Sequence, residues 1–135
     1  MAVFLYIPAA DTAVPLGVYL SANLAVGPYT SAPLSPIAPL PAWPDTQITG
    51  SSITIPWDAP ATVVFTCPSA FPNNGTSIVL QVNGTQVASG TSSPVTWSGT
   101  LKSGDTVTAV IAHNNGGIIS IRAGATDTFV TVAPA

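Results

Sequence analysis

The stretch LQVNGTQV, residues 80–87, carries the clearest structural signal in the chain. Asn83-Gly84 sits between two segments of alternating character. Both residues accept the positive φ that a two-residue type I′ hairpin turn demands. That register pairs Val82 with Thr85 and Leu80 with Val87. Ile78, Leu80, Val82 and Val87 then share one face, expected to be core, and Val79, Gln81 and Gln86 lie on the other.

Similar short runs recur on both sides of this hairpin, at 52–56, 61–66, 76–82, 85–89, 94–98, 106–113, 118–122 and 126–133. Turn signals separate them at Asn74-Gly75, Asn83-Gly84, Gly90, Gly99, Gly104-Asp105, Gly116-Gly117 and Gly124. This cadence predicts an all-β, antiparallel β-sandwich, Ig-like or jelly-roll-like, over residues 50–135. The run 106–113 (TVTAVIAH) is apolar on both faces and reads as a central strand.

Composition points the same way. The 135 residues include no Glu, one Lys (Lys102) and one Arg (Arg122), so strong helix formers other than Ala and Leu are scarce. Charged residues make up 5% of the chain, against about 25% in a typical soluble domain. Thirty residues are Ser or Thr, and hydroxyls take the place of charges on the wet faces. Such a surface repels copies of itself only weakly, as suits a protein packed into an assembly.

The same numbers exclude several functions. Two basic residues cannot build an electrostatic footprint for nucleic acid or a polybasic membrane patch. The greasiest segment, MAVFLYIPAA at the N-terminus, is too short to span a bilayer and has no basic flank for a signal peptide, so it is expected to be retained. Cys67 is the only cysteine and reads as a small buried apolar residue. The Asn-Gly-Thr sequons at Asn74 and Asn83 read as turns. His113 is the only histidine, no G-x-S-x-G elbow is present, and the five aspartates lack calcium-loop spacing. No catalytic, metal or cofactor site is expected.

Residues 31–44, SAPLSPIAPLPAWP, break the strand cadence with five prolines. At the three-residue period of polyproline II, Leu34, Ile37, Leu40 and Trp43 form one ridge, about 43 Å long at ~3.1 Å per residue. A ridge ending in Trp43 needs a groove, on its own domain or on a neighbour. The sequence therefore predicts an extended N-terminal arm over 1–49, partly polyproline II, joined to the sandwich at 50–135. Leu34, Ile37, Leu40 and Trp43 would be its contact ridge, and Phe4 and Tyr6 a second contact strand.

The run GTLKSGDTVTAVIAHNNGG, residues 99–117, is similar to Ig-like β-sandwich modules in structural proteins of tailed, actinobacterial bacteriophages, of the minor tail and capsid decoration types. The likeness rests on Leu101 beneath the Gly104-Asp105 turn, followed by a strand entering the core at Val107 and Ala109. The run has no tyrosine corner, which most Ig-type domains carry near this point. The resemblance implies a non-enzymatic virion subunit without cofactors, assembled in the host cytoplasm and bound to neighbouring capsid or tail subunits and to itself. Two other readings compete. One is a carbohydrate-binding module, with Trp57, Trp97, Asn114 and Asn115 contacting a host-surface glycan. The other is a bacterial surface or pilus subunit whose residues 3–7 pair with a neighbour's sheet edge.

Overall fold

A chain this poor in helix formers must satisfy its backbone by strand pairing. A computed structural model, described over residues 12–68, 76–114 and 116–135, contains strands and turns and no helix among those residues. The first sheet is ordered β10 (Val95–Leu101), β7 (Ala59–Thr66), β13 (Phe129–Pro134), β1 (Leu16–Leu20), β4 (Ile37–Pro39). The second is ordered β5 (Gln47–Thr49), β6 (Ser52–Thr54), β11 (Thr106–His113), β8 (Thr76–Val82), β9 (Thr85–Gly90). Beyond the end of β6, β3 (Thr30–Pro33) pairs the same edge of β11. β2 (Leu24–Val26) and β12 (Ile119–Ile121) form a separate two-stranded ribbon. Every pairing is antiparallel.

The chain changes sheet at β6 to β7, β7 to β8, β9 to β10 and β10 to β11, and only β8–β9 is a local hairpin among these. That is jelly-roll wiring, one of the two forms the sequence left open. The alternating residues of both sheets meet in one core. Leu16, Val18, Leu20, Val63, Phe65, Val130 and Val132 come from the first sheet, and Ile53, Ile78, Leu80, Val107, Ala109 and Ile111 from the second. Trp57 is fully buried among them.

The hairpin forms at the expected turn, with Asn83 at φ 52° and Gly84 at φ 79°, and Val82 opposes Thr85. Its register then departs from the expected one. Gln81 opposes Gln86 but Leu80 opposes Ala88, so Val87 is the extra residue of a β-bulge. The bulge turns both Val87 and Ala88 partly toward the core, where each is half-buried.

The expected arm needs correction over its described part. Residues 16–49 belong to the two sheets: β1 lies between β13 and β4, and β3, β4 and β5 are woven in around it. The prolines permit this because β3 and β4 are edge strands, where a missing N–H breaks no ladder. The polyproline ridge is also cut. The chain crosses from one sheet to the other between β3 and β4, so Leu34 drops into the core at 1% exposure and its N–H continues the ladder to the Ala109 carbonyl at 2.9 Å. Ile37 sits opposite Leu20, half-buried. Leu40 and Trp43 fold back over Gly17, where a Cβ would meet Leu40 Cδ1 at 2.5 Å and Trp43 Cε3 at 2.9 Å. Phe4 and Tyr6 lie outside the described residues.

Leu34→Ala should therefore lower unfolding free energy by about 2–5 kcal/mol in a urea titration. Deleting residues 1–48 should leave the remainder unfolded by circular dichroism, because it removes β1 from the middle of the first sheet. A detachable arm would leave both measurements unchanged.

Candidate functional site

The six charged residues among those described, Asp45, Asp58, Lys102, Asp105, Arg122 and Asp127, all lie in turns or loops and none on a strand. Both outer sheet faces are consequently neutral, but they differ in kind. On the first sheet the pairings set Ala38, Tyr19, Phe129 and Thr66 in one outward row. Gly17, Thr131, Val64 and Thr96 form the next, with Trp43 folded over Gly17. Tyr19, Trp43, Val64 and Phe129 are half-buried, and no further layer of described residues covers them. On the second sheet hydroxyls predominate, and they bond across strands: Ser52 to Thr108 at 2.6 Å and Thr49 to Thr54 at 2.6 Å.

Trp43 is held by the chain around it. Thr46, itself buried, donates its hydroxyl hydrogen to the Trp43 carbonyl at 2.8 Å and accepts from the Gly17 N–H at 3.1 Å. The 43–46 turn thus continues the pairing of β1 beyond the end of β4. The site residues expected for a glycan do not converge. Trp57 is fully buried and its Nε1–H donates to the Val14 carbonyl at 3.0 Å, leaving no face for a sugar. Trp97 points inward from β10, half-buried, its ring lying where a Cβ on Gly99 would be. Asn114 is exposed, and Asn115 lies outside the described residues.

His113 is buried at the end of β11. Its Nε2 is 2.6 Å from the Gly117 carbonyl oxygen, which can only accept, so Nε2 carries the proton. In the neutral ring Nδ1 accepts from the Thr76 hydroxyl at 2.9 Å. The histidine ties Gly117 to the end of β11. Among the described residues no cluster of three His, Cys, Asp or Glu side chains gathers. Burial pushes the Cys67 thiol up to about 12, so it stays protonated and inert.

The Gly104-Asp105 turn is fixed from two sides. Asp105 accepts from Asn83 Nδ2 at 2.9 Å and from the Lys102 N–H at 2.8 Å. Asn83 Oδ1 accepts from the Thr106 N–H at 3.0 Å, and Asp58 accepts from the Ser103 N–H at 2.7 Å. The hydrogen bond from Asn83, then that from Lys102 N–H, hold the Asp105 carboxyl below its ordinary value.

Tyr19 and Phe129 were missed as surface residues by sequence reasoning. The signal that would have found them is the outward parity of 126–133, in which Phe129 alternates with core Val130.

No family model matches the chain, and no curated protein is similar to it in sequence. Several solved structures share its fold. A TNF, Eiger, from S. frugiperda is 14% identical with a TM-score of 0.59, covering 90% of this chain and 92% of its own. Murine APRIL is 12% identical with a TM-score of 0.57, covering 90% of this chain and all of its own. At these identities the likeness is one of fold.

Asp105 gives a pH dependence of known sign. A depressed carboxyl contributes stability above its unfolded pKa, about 3.9, and that contribution is lost as pH falls through the lower folded value. Asp105→Asn should therefore be less stable than the parent at neutral pH, and thermal melts of the two should converge in acid. A gap that stays constant down to pH ~2 contradicts the assignment.

Proposed function

We propose that the chain is a non-enzymatic structural subunit of a virion, of the capsid decoration or minor tail type, which associates with itself through the outer face of its first sheet. The observation that carries this reading is that face: Tyr19, Phe129, Val64 and the folded-back Trp43 stand together with no charge among them. Half-buried aromatic and aliphatic side chains grouped on an outer sheet face favour an interaction surface, and aromatics are enriched in interface cores. A second copy is the occupant that fits. With every described charge in a turn or loop, two such faces meet without like-charge contact between described residues. The virion setting is supported by the resemblance of residues 99–117 and by a hydroxyl-covered surface suited to dense packing. The contact moves from the expected arm to the sheet, because Leu34 and Leu40 are already buried within one copy. The TNF and APRIL likeness supports the sandwich as a scaffold and nothing about partners.

Native mass spectrometry and light scattering should show an oligomer. Tyr19→Lys with Phe129→Lys should shift it to a folded monomer, since both side chains point away from the core. A parent chain that remains monomeric at high micromolar concentration sinks the self-association. Absence of the chain from purified particles of its source sinks the virion reading.

A further inference from the structure

A separate cleft of about 490 Å³ opens at one end of the second sheet, away from the face assigned to self-association. Its size falls within the ~300–1,000 Å³ usual for small-ligand sites. Its floor is a row set by the strand register: Ser31 on β3, Ala112 on β11 and Ser77 on β8 stand side by side on the outward face. Ala112 lies between the two hydroxyls, and Thr91 is also part of the lining. Asn114 and Tyr29 line it as well. No Lys, Arg, Asp or Glu lines the cleft, and His113, which also borders it, is buried with both ring nitrogens hydrogen-bonded within the protein.

Tyr29 is the distinctive element. It is 70% exposed, among the largest apolar exposures in the molecule. The ring is not loose. Its hydroxyl end rests over Gly116, where a Cβ would come within 3.6 Å of the oxygen, and the 27–30 turn beneath it is closed by Thr30 Oγ1 donating to the Gly27 carbonyl at 2.7 Å. The neighbouring Gly117 is tied to the end of β11 by His113. An aromatic ring is therefore held in water beside a shallow trough of hydroxyls and a carboxamide.

We propose that this cleft binds a neutral saccharide, with Tyr29 stacking on the apolar face of a sugar ring and Ser31, Ser77, Thr91 and Asn114 exchanging hydrogen bonds with its hydroxyls. The chemistry selects this class. An anionic ligand would find no Lys or Arg there and a His113 ring already engaged, and a purely apolar one would strip water from several hydroxyls without replacing their bonds. A polyol offers both donors and acceptors, as the lining does. The glycan contact that the sequence assigned to Trp57 and Trp97 is thus moved to Tyr29, with Asn114 retained.

The site does not depend on the oligomer or the virion setting, and its test separates them. The full chain is applied to an array carrying neutral hexose, deoxyhexose and N-acetylhexosamine glycans, with sialylated and uronate glycans alongside. Retention on at least one neutral class is expected. Tyr29→Ala should weaken it about tenfold or more. Ala112→Leu, which fills the trough from an outward position, should do the same, and Tyr29→Phe should retain most of the binding. Native mass should be unchanged in all three. Binding only to acidic glycans, no retention on any neutral class, or retention undiminished by Tyr29→Ala overturns the proposal. Tyr29→Ala decides the matter even if Ala112→Leu misfolds, because Tyr29 supports no core contact.

Discussion

The insertion of β1 between β13 and β4 is the constraint on which the structure depends. It joins residues near the start of the described chain to its last strand, with Leu16 opposite Val132 and Tyr19 opposite Phe129. Both edges of β1 are then occupied, and its inward residues Leu16, Val18 and Leu20 become core. Much else is fastened to it. The Trp57 indole is held by the Val14 carbonyl just before β1, Thr46 bonds the Gly17 N–H, and the Gly124 N–H donates to the Leu20 carbonyl just after it, at 2.9 Å. Removing β1 would expose two strand edges and one flank of the core together. The proline-rich stretch is best understood from here. It is the return path from β1, and it must supply one edge strand to each sheet.

The scarcity of charge has a definite spatial order. Every described charge sits in a turn or loop, and two of the aspartates there serve backbone groups that have no ladder partner. Asp105 and Asp58 both accept from backbone N–H groups in the 102–105 turn. The strands keep hydroxyls instead, which bond to one another across the sheet, as Ser52 does with Thr108. This division leaves broad sheet faces without electrostatic repulsion. It also explains why the two faces can diverge. Small changes in the neutral residues, Tyr and Phe against Ser and Thr, are enough to give one face an aromatic group among its hydroxyls that the strands of the other lack.

Much of the sandwich was legible beyond residue 50, because turn chemistry there is explicit. Asn83-Gly84 and Gly104-Asp105 fix φ-positive corners, and the alternation between them has period two. The bulge at Val87 was not legible, since Val87 and Ala88 are both small and apolar and either satisfies the pattern. The first third misled for a physical reason. Leu34, Ile37, Leu40 and Trp43 recur every third residue, which suits polyproline II, yet the same four side chains serve three different environments once the chain switches sheets. Period alone does not register a crossover. Among the surface contacts, Tyr19 and Phe129 become neighbours only through a pairing between residues more than a hundred positions apart. Tyr29 gains its support from Gly116 in the same non-local way.

The two proposed surfaces are compatible because a sandwich has two outer faces pointing in opposite directions. Burying the first sheet's face against another copy leaves the second sheet, and the Tyr29 cleft with it, turned outward. A shallow neutral site on one copy is expected to hold a sugar weakly, since its hydroxyl bonds exchange with water at little net gain. Several clefts on one particle alter that balance, because each further contact becomes intramolecular and the combined affinity rises without any new bond type. Self-association through an oily face would then do more than protect Tyr19 and Phe129 from water. It would set the spacing of the clefts, and spacing determines which arrays of sugar the assembled particle can engage at once.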